Sequence, residues 1–282
     1  MRLRRTGIQA KEIRAMRFLK YHGLGNDYIY LDCFHQQTPE DPGRLSVLLS
    51  RRHFSVGSDG LILMEPSGCA DARMRVFNAD GSEAPMCGNG IRCVAKALWD
   101  EGIVRKQRMC IETMSGIREI DLHIEEGRCT GATVDIGVPV IGRKLRIPVN
   151  GRQYDLVEVS VGSRHAVAFL NALPDEETFR KDGPALENNP AFPDRANIEF
   201  CTADGKDEIT MLVWERGSGP TLACGTGASA SLAAAVHLGL TEKKARVKLP
   251  GGTLEIEWRE DGHIYMTGPA VRAFTGEVDI GA

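Results

Sequence analysis

Two stretches of this chain, Cys87-Gly88-Asn89-Gly90 and Cys224-Gly225-Thr226-Gly227, repeat one pattern in one local setting, and that constrains the fold more than any other feature. Each opens a run with helical spacing, read as helices over 88–101 and 225–238, with Gly102 and Gly239 as stops. Ten positions before each cysteine a β-rich run ends in an aromatic, Phe77 or Trp214, followed by a polar residue, Asn78 or Glu215. After each helix come a strand and a glycine turn, Ser115-Gly116 or Gly251-Gly252. A strand–loop–helix unit used twice predicts two pseudo-symmetric domains, each a sheet or open barrel around a central helix. The natural place for a site is the cleft between them.

The rest of the chain fits that frame. Short runs rich in Val, Ile, Phe and Tyr fall at 28–31, 60–64, 72–77, 109–112, 131–136, 158–161, 208–214, 245–249, 253–258 and 263–267, separated by Gly, Pro, Asp and Asn. One further helix is expected over 43–52. Helices are too few for regular strand–helix alternation, so the class is α+β. The expected boundaries are an N-terminal extension over 1–15, a first domain over 16–130 joined by a returning tail over 269–282, and a second domain over 131–268. A net charge of −3 gives no reason to expect a nucleic-acid or membrane partner. The basic first segment has no apolar core behind it and makes a poor secretory signal, so a cytoplasmic protein is expected. A homodimer is the default assembly.

Eight cysteines in 282 residues are too few for a disulfide scaffold, and most serve by default as small buried apolar residues. Cys87 and Cys224 stand apart because each precedes a helix start. There the first N–H groups lack intrahelical partners and the macrodipole is positive. Such a place holds a carboxylate and favours a thiolate, so a thiol pKa below its ordinary value is expected. Two such starts facing each other would hold a carboxylate with a thiol on either side. That suits inversion at an α-carbon: one sulfur removes the proton, the other returns one to the opposite face, and the N–H groups stabilise the enolate-like charge. Simpler readings exist: tight helix–strand packing, a Cys87–Cys93 disulfide, a zinc set adding Cys224 and His165, or a redox thiol pair. The zinc set lacks a familiar ligand spacing, and a redox pair leaves the duplicated glycines unexplained.

With these motifs in order, the chain resembles the diaminopimelate epimerase family from about Arg17 onward. The resemblance is carried by His22-Gly23-Leu24-Gly25-Asn26-Asp27, Phe77-Asn78-Ala79-Asp80-Gly81-Ser82-Glu83, Met86-Cys87-Gly88-Asn89-Gly90-Ile91-Arg92-Cys93, Glu215-Arg216-Gly217 and Ala223-Cys224-Gly225-Thr226-Gly227. It implies an isomerase working without pyridoxal phosphate or any other cofactor or metal. The implied substrate is a small amino acid, LL-diaminopimelate converted to the meso form, on the route to lysine and peptidoglycan. By position Cys87 and Cys224 become the acid/base pair. Gly88, Asn89, Gly225 and Thr226 become the carboxylate holders, and Asn26, Asn78, Asn197, Glu215 and Arg216 the other substrate contacts. His165 and Ser163 become supporting residues. The chain departs from the family at Ser163-Arg164-His165, where Asn-Pro-His is usual, and at Gly60, where many members carry glutamine. The alternatives are a racemase of another amino acid, such as histidine, or a thiol oxidoreductase or redox sensor.

Overall fold

The computed structural model describes residues 14–280. Most of the expected extension lies outside the described residues, and its last two positions already belong to a strand. The first half contains β1 (Arg14–Gly23), β2 (Asn26–Asp32), α1 (Pro42–Ser50), β3 (Gly60–Glu65), β4 (Ala72–Asn78), β5 (Glu83–Ala84), α2 (Gly88–Asp100), β6 (Arg108–Thr113), β7 (Gly116–Glu125) and β8 (Arg128–Gly137). The second contains β9 (Val140–Val149), β10 (Arg152–Ser160), β11 (Arg164–Phe169), α3 (Glu176–Glu187), β12 (Asn197–Ala203), β13 (Glu208–Glu215), β14 (Gly219–Pro220), α4 (Gly225–His237), β15 (Lys244–Leu249), β16 (Gly252–Trp258) and β17 (Ile264–Pro269). β18 (Val271–Ile280) closes the chain.

The pairings repeat element by element. β2 and β3 are parallel and joined through α1; β11 and β12 are parallel and joined through α3. β4 and β6 are parallel across α2, as β13 and β15 are across α4. Parallel neighbours need such crossovers, whereas the antiparallel pairs need only turns. The halves meet where β17 pairs with β8. β18 lies beside β1 as β9 lies beside β10.

Burial explains why helices α2 and α4 sit inside the sheets. In α4, Gly225 and all residues from Gly227 to Ala235 are buried. A helix apolar or small on every side has no solvent face, and its alanines, serines and glycines let strands approach closely. The main core cluster runs continuously through both helices, from Ile91, Val94 and Leu98 to Leu232 and Ala233. Helix α3 has no counterpart among the expected elements, because Gly183 and Pro184 interrupt its pattern. Gly183 is required by packing: a Cβ there would lie 2.7 Å from the Trp214 ring.

Candidate active site

The site is built from the ends of α2 and α4. Cys87 is the N-cap of α2 at φ −129°, ψ 114°, and Cys224 the N-cap of α4 at φ −123°, ψ 110°. Each sulfur accepts from the N–H of the second glycine of its own motif: Gly90 N at 3.3 Å and Gly227 N at 3.4 Å. The space around both glycines is tight. A Cβ on Gly90 would lie 2.7 Å from Ile62 Cδ1, and one on Gly227 2.8 Å from Glu199 Oε1 and 3.3 Å from the Cys224 sulfur. With those N–H groups committed to sulfur, the N–H groups of Gly88, Asn89, Gly225 and Thr226 are the donors that a helix start offers a ligand.

The two starts converge. Met266 on β17 packs against the first glycine of both motifs: a Cβ on Gly225 would lie 2.6 Å from its Sδ, and one on Gly88 3.1 Å from its Cε. Asn89 Nδ2 donates across the seam to Ala223 O at 3.1 Å, so its side chain is engaged between the halves while its backbone N–H stays at the helix start. The β1–β2 turn also crosses over. Leu24 takes a left-handed φ of 57°, uncommon for a bulky side chain, and its carbonyl is pressed so closely on Gly251 that a Cβ there would be 2.0 Å away. That turn delivers Asn26, whose Oδ1 accepts from the Cys87 sulfur at 3.4 Å and whose amide donates to Asp59 at 2.8 Å.

On the other side Thr226 Oγ1 lies 3.5 Å from the Cys224 sulfur. Glu215 accepts from the Thr221 hydroxyl, and its charge acts on the Cys224 thiol. His165 is buried with Nδ1 2.6 Å from Glu199 Oε1 and Nε2 2.8 Å from Ser163 Oγ. Asn197 ties two loops together, donating to Arg164 O at 3.0 Å and accepting from Arg216 N at 2.9 Å. The Arg216 guanidinium is exposed and donates to Asp194 O at 3.2 Å. Asn78 serves its turn, donating to Ser82 Oγ at 3.0 Å. Cys87, Cys224, Asn26, Asn89, Glu215 and Thr226 are thus drawn together, while Asn78 and Arg216 touch neither sulfur.

The expected lowering of the thiol pKa values is not what this geometry gives. Burial pushes Cys87 above its ordinary value, against the lowering pull of the Gly90 N–H, the Tyr28 hydroxyl and Arg92. Cys224 is pushed well above it, by burial first and then by the charges of Glu215 and Glu199. Removal from water outweighs one helix start. Burial likewise raises the Glu215 carboxyl. Among the described residues no three Cys, His, Asp or Glu side chains are arranged to hold a metal ion, and all the described cysteines are free thiols.

Several residues here carried no sequence signal strong enough to single them out. Glu199 stands inside an apolar strand and Arg92 inside an apolar helix run, and a lone charge in a buried run was the available clue. Tyr28 and Met266 look like ordinary core residues. Gly60 has a local reason: a Cβ there would sit 2.1 Å from Phe77 O, so this backbone has no room for the glutamine of many family members.

The comparisons with known proteins agree over nearly the whole chain. The diaminopimelate epimerase family model matches residues 18–141 and 157–273. The diaminopimelate epimerase of Acetivibrio thermocellus is 47% identical over 280 residues, covering 94% of this chain and 99% of that protein. The diaminopimelate epimerase of Desulfitobacterium hafniense is 46% identical over 278 residues, covering 93% and 97%. Among solved structures, a probable proline racemase from Agrobacterium radiobacter shares the fold with a TM-score of 0.75 at 16% identity, covering 94% of this chain and 93% of that one. The chain is an isomerase and belongs to the diaminopimelate epimerase family.

Proposed function

We propose that this protein interconverts LL- and meso-diaminopimelate, with Cys87 and Cys224 as opposed acid and base and without a cofactor. The observation that carries the reading is the doubled N-cap: two cysteines, each capping a helix, whose starts converge on Met266. A substrate α-carboxylate between those starts meets the N–H groups of Gly88, Asn89, Gly225 and Thr226. Its α-carbon then has a sulfur on each side. One thiolate takes the α-proton, and the electron pair delocalises into the carboxylate, where the same N–H groups stabilise it. The opposite thiol delivers a proton to the other face, leaving the enzyme with the reverse thiol/thiolate distribution. Two positioned acid–base groups are each worth about 10²–10⁴ in rate.

Glu215, half-buried beside Cys224, suits the substrate α-ammonium group. Arg216, with its planar fork, suits the distal carboxylate; closure of the two halves would bring it in. Asn26, Asn78 and Asn197 complete the polar wall, with Ser163 and His165 behind it. The two halves act as domains on either side of this cleft. A reducing compartment such as the cytoplasm keeps both sulfurs reduced, free to serve as thiol and thiolate, as the reaction requires.

The experiment is deuterium incorporation at the α-carbon in D₂O, run with LL-diaminopimelate beside a panel that includes histidine and proline. Exchange with diaminopimelate well above the panel is the expected result. Exchange with a different amino acid and none with diaminopimelate would overturn the substrate assignment. No exchange with any, together with dithiol or peroxide turnover, would move the protein to thiol redox chemistry.

A further inference from the structure

The asparagine that touches the Cys87 sulfur is itself held by a carboxylate, Asp59, that has no task in the scheme above. Asp59 stands just before β3, and its backbone is pinned on both sides. Its N–H donates to Asp27 O at 2.8 Å, and its carbonyl accepts from Ala79 N at 3.1 Å. The carboxylate is thereby delivered to a fixed place beside the β1–β2 turn. Its Oδ2 accepts from Asp27 N at 3.0 Å and from Asn26 Nδ2 at 2.8 Å, while Oδ1 accepts from Arg52 Nη2 at 3.0 Å. Arg52 also reaches Asp27 Oδ1 at 2.5 Å, and the other oxygen of Asp27 lies 2.5 Å from the buried Lys20 ammonium. Two cations and two carboxylates thus balance charge for charge around this corner.

An asparagine amide has two unlike ends: the NH₂ only donates and the carbonyl only accepts. Which end faces which neighbour is decided by the neighbours. The Asp27 N–H and the Arg52 guanidinium are donors that cannot be reversed, and both point at Asp59, so the carboxylate meets Asn26 as an acceptor. With the amide turned round, Asn26 Oδ1 would face Asp59 Oδ2 at hydrogen-bond distance, two acceptors with no proton between them, which is a costly contact. The NH₂ therefore goes to Asp59. Oδ1 is left facing Cys87, where it accepts from the sulfur at 3.4 Å. Reversed, the same asparagine would donate to that sulfur. An acceptor favours the thiol, whereas a donor would favour the thiolate.

We propose that Asp59 is a positioning residue for the reaction: by taking the NH₂ of Asn26 it keeps an acceptor, not a donor, against Cys87, and so favours the protonated form from which that cysteine delivers its proton. This rests on the two-cysteine reading and deepens it, adding a residue that acts on the sulfur through another side chain. What the role requires of position 59 is an acceptor oxygen 2.8 Å from Asn26 Nδ2, not a negative charge. That requirement separates it from a purely electrostatic influence, which would vanish with the charge.

The test is alkylation of the substrate-free protein by iodoacetamide across a pH series, with Cys87 and Cys224 followed separately by peptide mass spectrometry. Accessibility scales each rate but leaves its pH midpoint unchanged, so the midpoints report thiolate formation. Asp59→Ala removes the acceptor and frees the amide to turn its NH₂ to the sulfur. The Cys87 midpoint should fall by about one pH unit, with Cys224 in place. Asp59→Asn keeps an acceptor oxygen without the charge and should restore the wild-type midpoint. Tyr28 on β2, Arg92 on α2 and Glu215 on β13 also face Cys87, and these variants leave all three unchanged. α-Proton exchange by Asp59→Ala should drop roughly tenfold, about the worth of one hydrogen bond, and recover in Asp59→Asn. An unmoved Cys87 midpoint in Asp59→Ala, an equal fall in Asp59→Asn, or Cys224 moving as far as Cys87 would overturn the proposal. If Asp59→Ala does not fold, as read by circular dichroism, Asp59→Ser takes its place with the same expected fall, because its shorter hydroxyl does not reach Asn26. Wild-type exchange on the same preparation separates the two layers. Normal exchange with midpoints indifferent to position 59 defeats the role of Asp59 alone. The expected midpoints with no exchange on any amino acid defeat the reaction and leave the hold of Asp59 on Asn26 standing.

Discussion

Gly225→Ala tests the contact that brings the two helix starts together. A methyl carbon there would lie 2.6 Å from Met266 Sδ and 3.1 Å from its Cε, while comfortable heavy-atom contact needs about 3.5–4.0 Å. The methionine must therefore move by about 1 Å, in a core where it is fully buried. Overpacking of this kind costs about 1–3 kcal/mol, towards the lower end because methionine is flexible. Gly88→Ala meets only the far end of the same side chain, at 3.1 Å, and should cost under about 1 kcal/mol. Met266→Ala alone should cost about 2–5 kcal/mol through the cavity it leaves. Combined with Gly225→Ala it should cost about 1–2 kcal/mol less than the sum, because the second change removes the clash created by the first. Urea unfolding with unchanged m-values reads all of this. Epimerisation by Gly225→Ala should fall on the order of 100-fold, since the N–H donors shift with the helix start. Additivity of the pair to within about 0.5 kcal/mol, or equal costs at Gly88 and Gly225, would refute the shared contact.

Two further outcomes follow from the site. The kcat/KM should rise from about pH 6 through neutrality, by up to about tenfold per unit, because burial raises both thiols and the base must be a thiolate; it should fall again once the second thiol also ionises. A profile that is flat or falling over that interval would contradict the shifts. Gly60→Gln should lose roughly 3 kcal/mol or more, or fail to fold, because the Cβ would lie 2.1 Å from the Phe77 carbonyl; a variant with wild-type urea midpoint would show that the strand has room.

What could be read from the sequence was whatever is written locally and twice. The helix starts at Cys87 and Cys224, their flanking strands and the α+β class were legible because a cysteine followed by glycines must cap rather than continue a strand. Elements whose reasons are distant were not. Helix α3 carries Gly183 against its own propensity because Trp214, far away in sequence, needs the space. β1 and β18 were not among the expected strands; only a return of the tail over 269–282 to the first half was expected, and their register joins the two ends of the chain. The direction of the thiol shifts went the other way from the local expectation. A helix start is a sequence feature, but the burial that outweighs it is assembled from both halves. Glu199 offered only the clue of a lone charge in an apolar run, since its partner His165 lies on a neighbouring strand.

The central claim is that two sulfurs on opposite sides of one α-carbon do the chemistry. Its most direct test is α-deuterium incorporation and epimerisation of LL-diaminopimelate in D₂O by Cys87→Ala and Cys224→Ala, each checked for folding. Both variants are expected to lose epimerisation by a factor of about 10²–10⁴. Near-wild-type turnover by either alanine variant would contradict it.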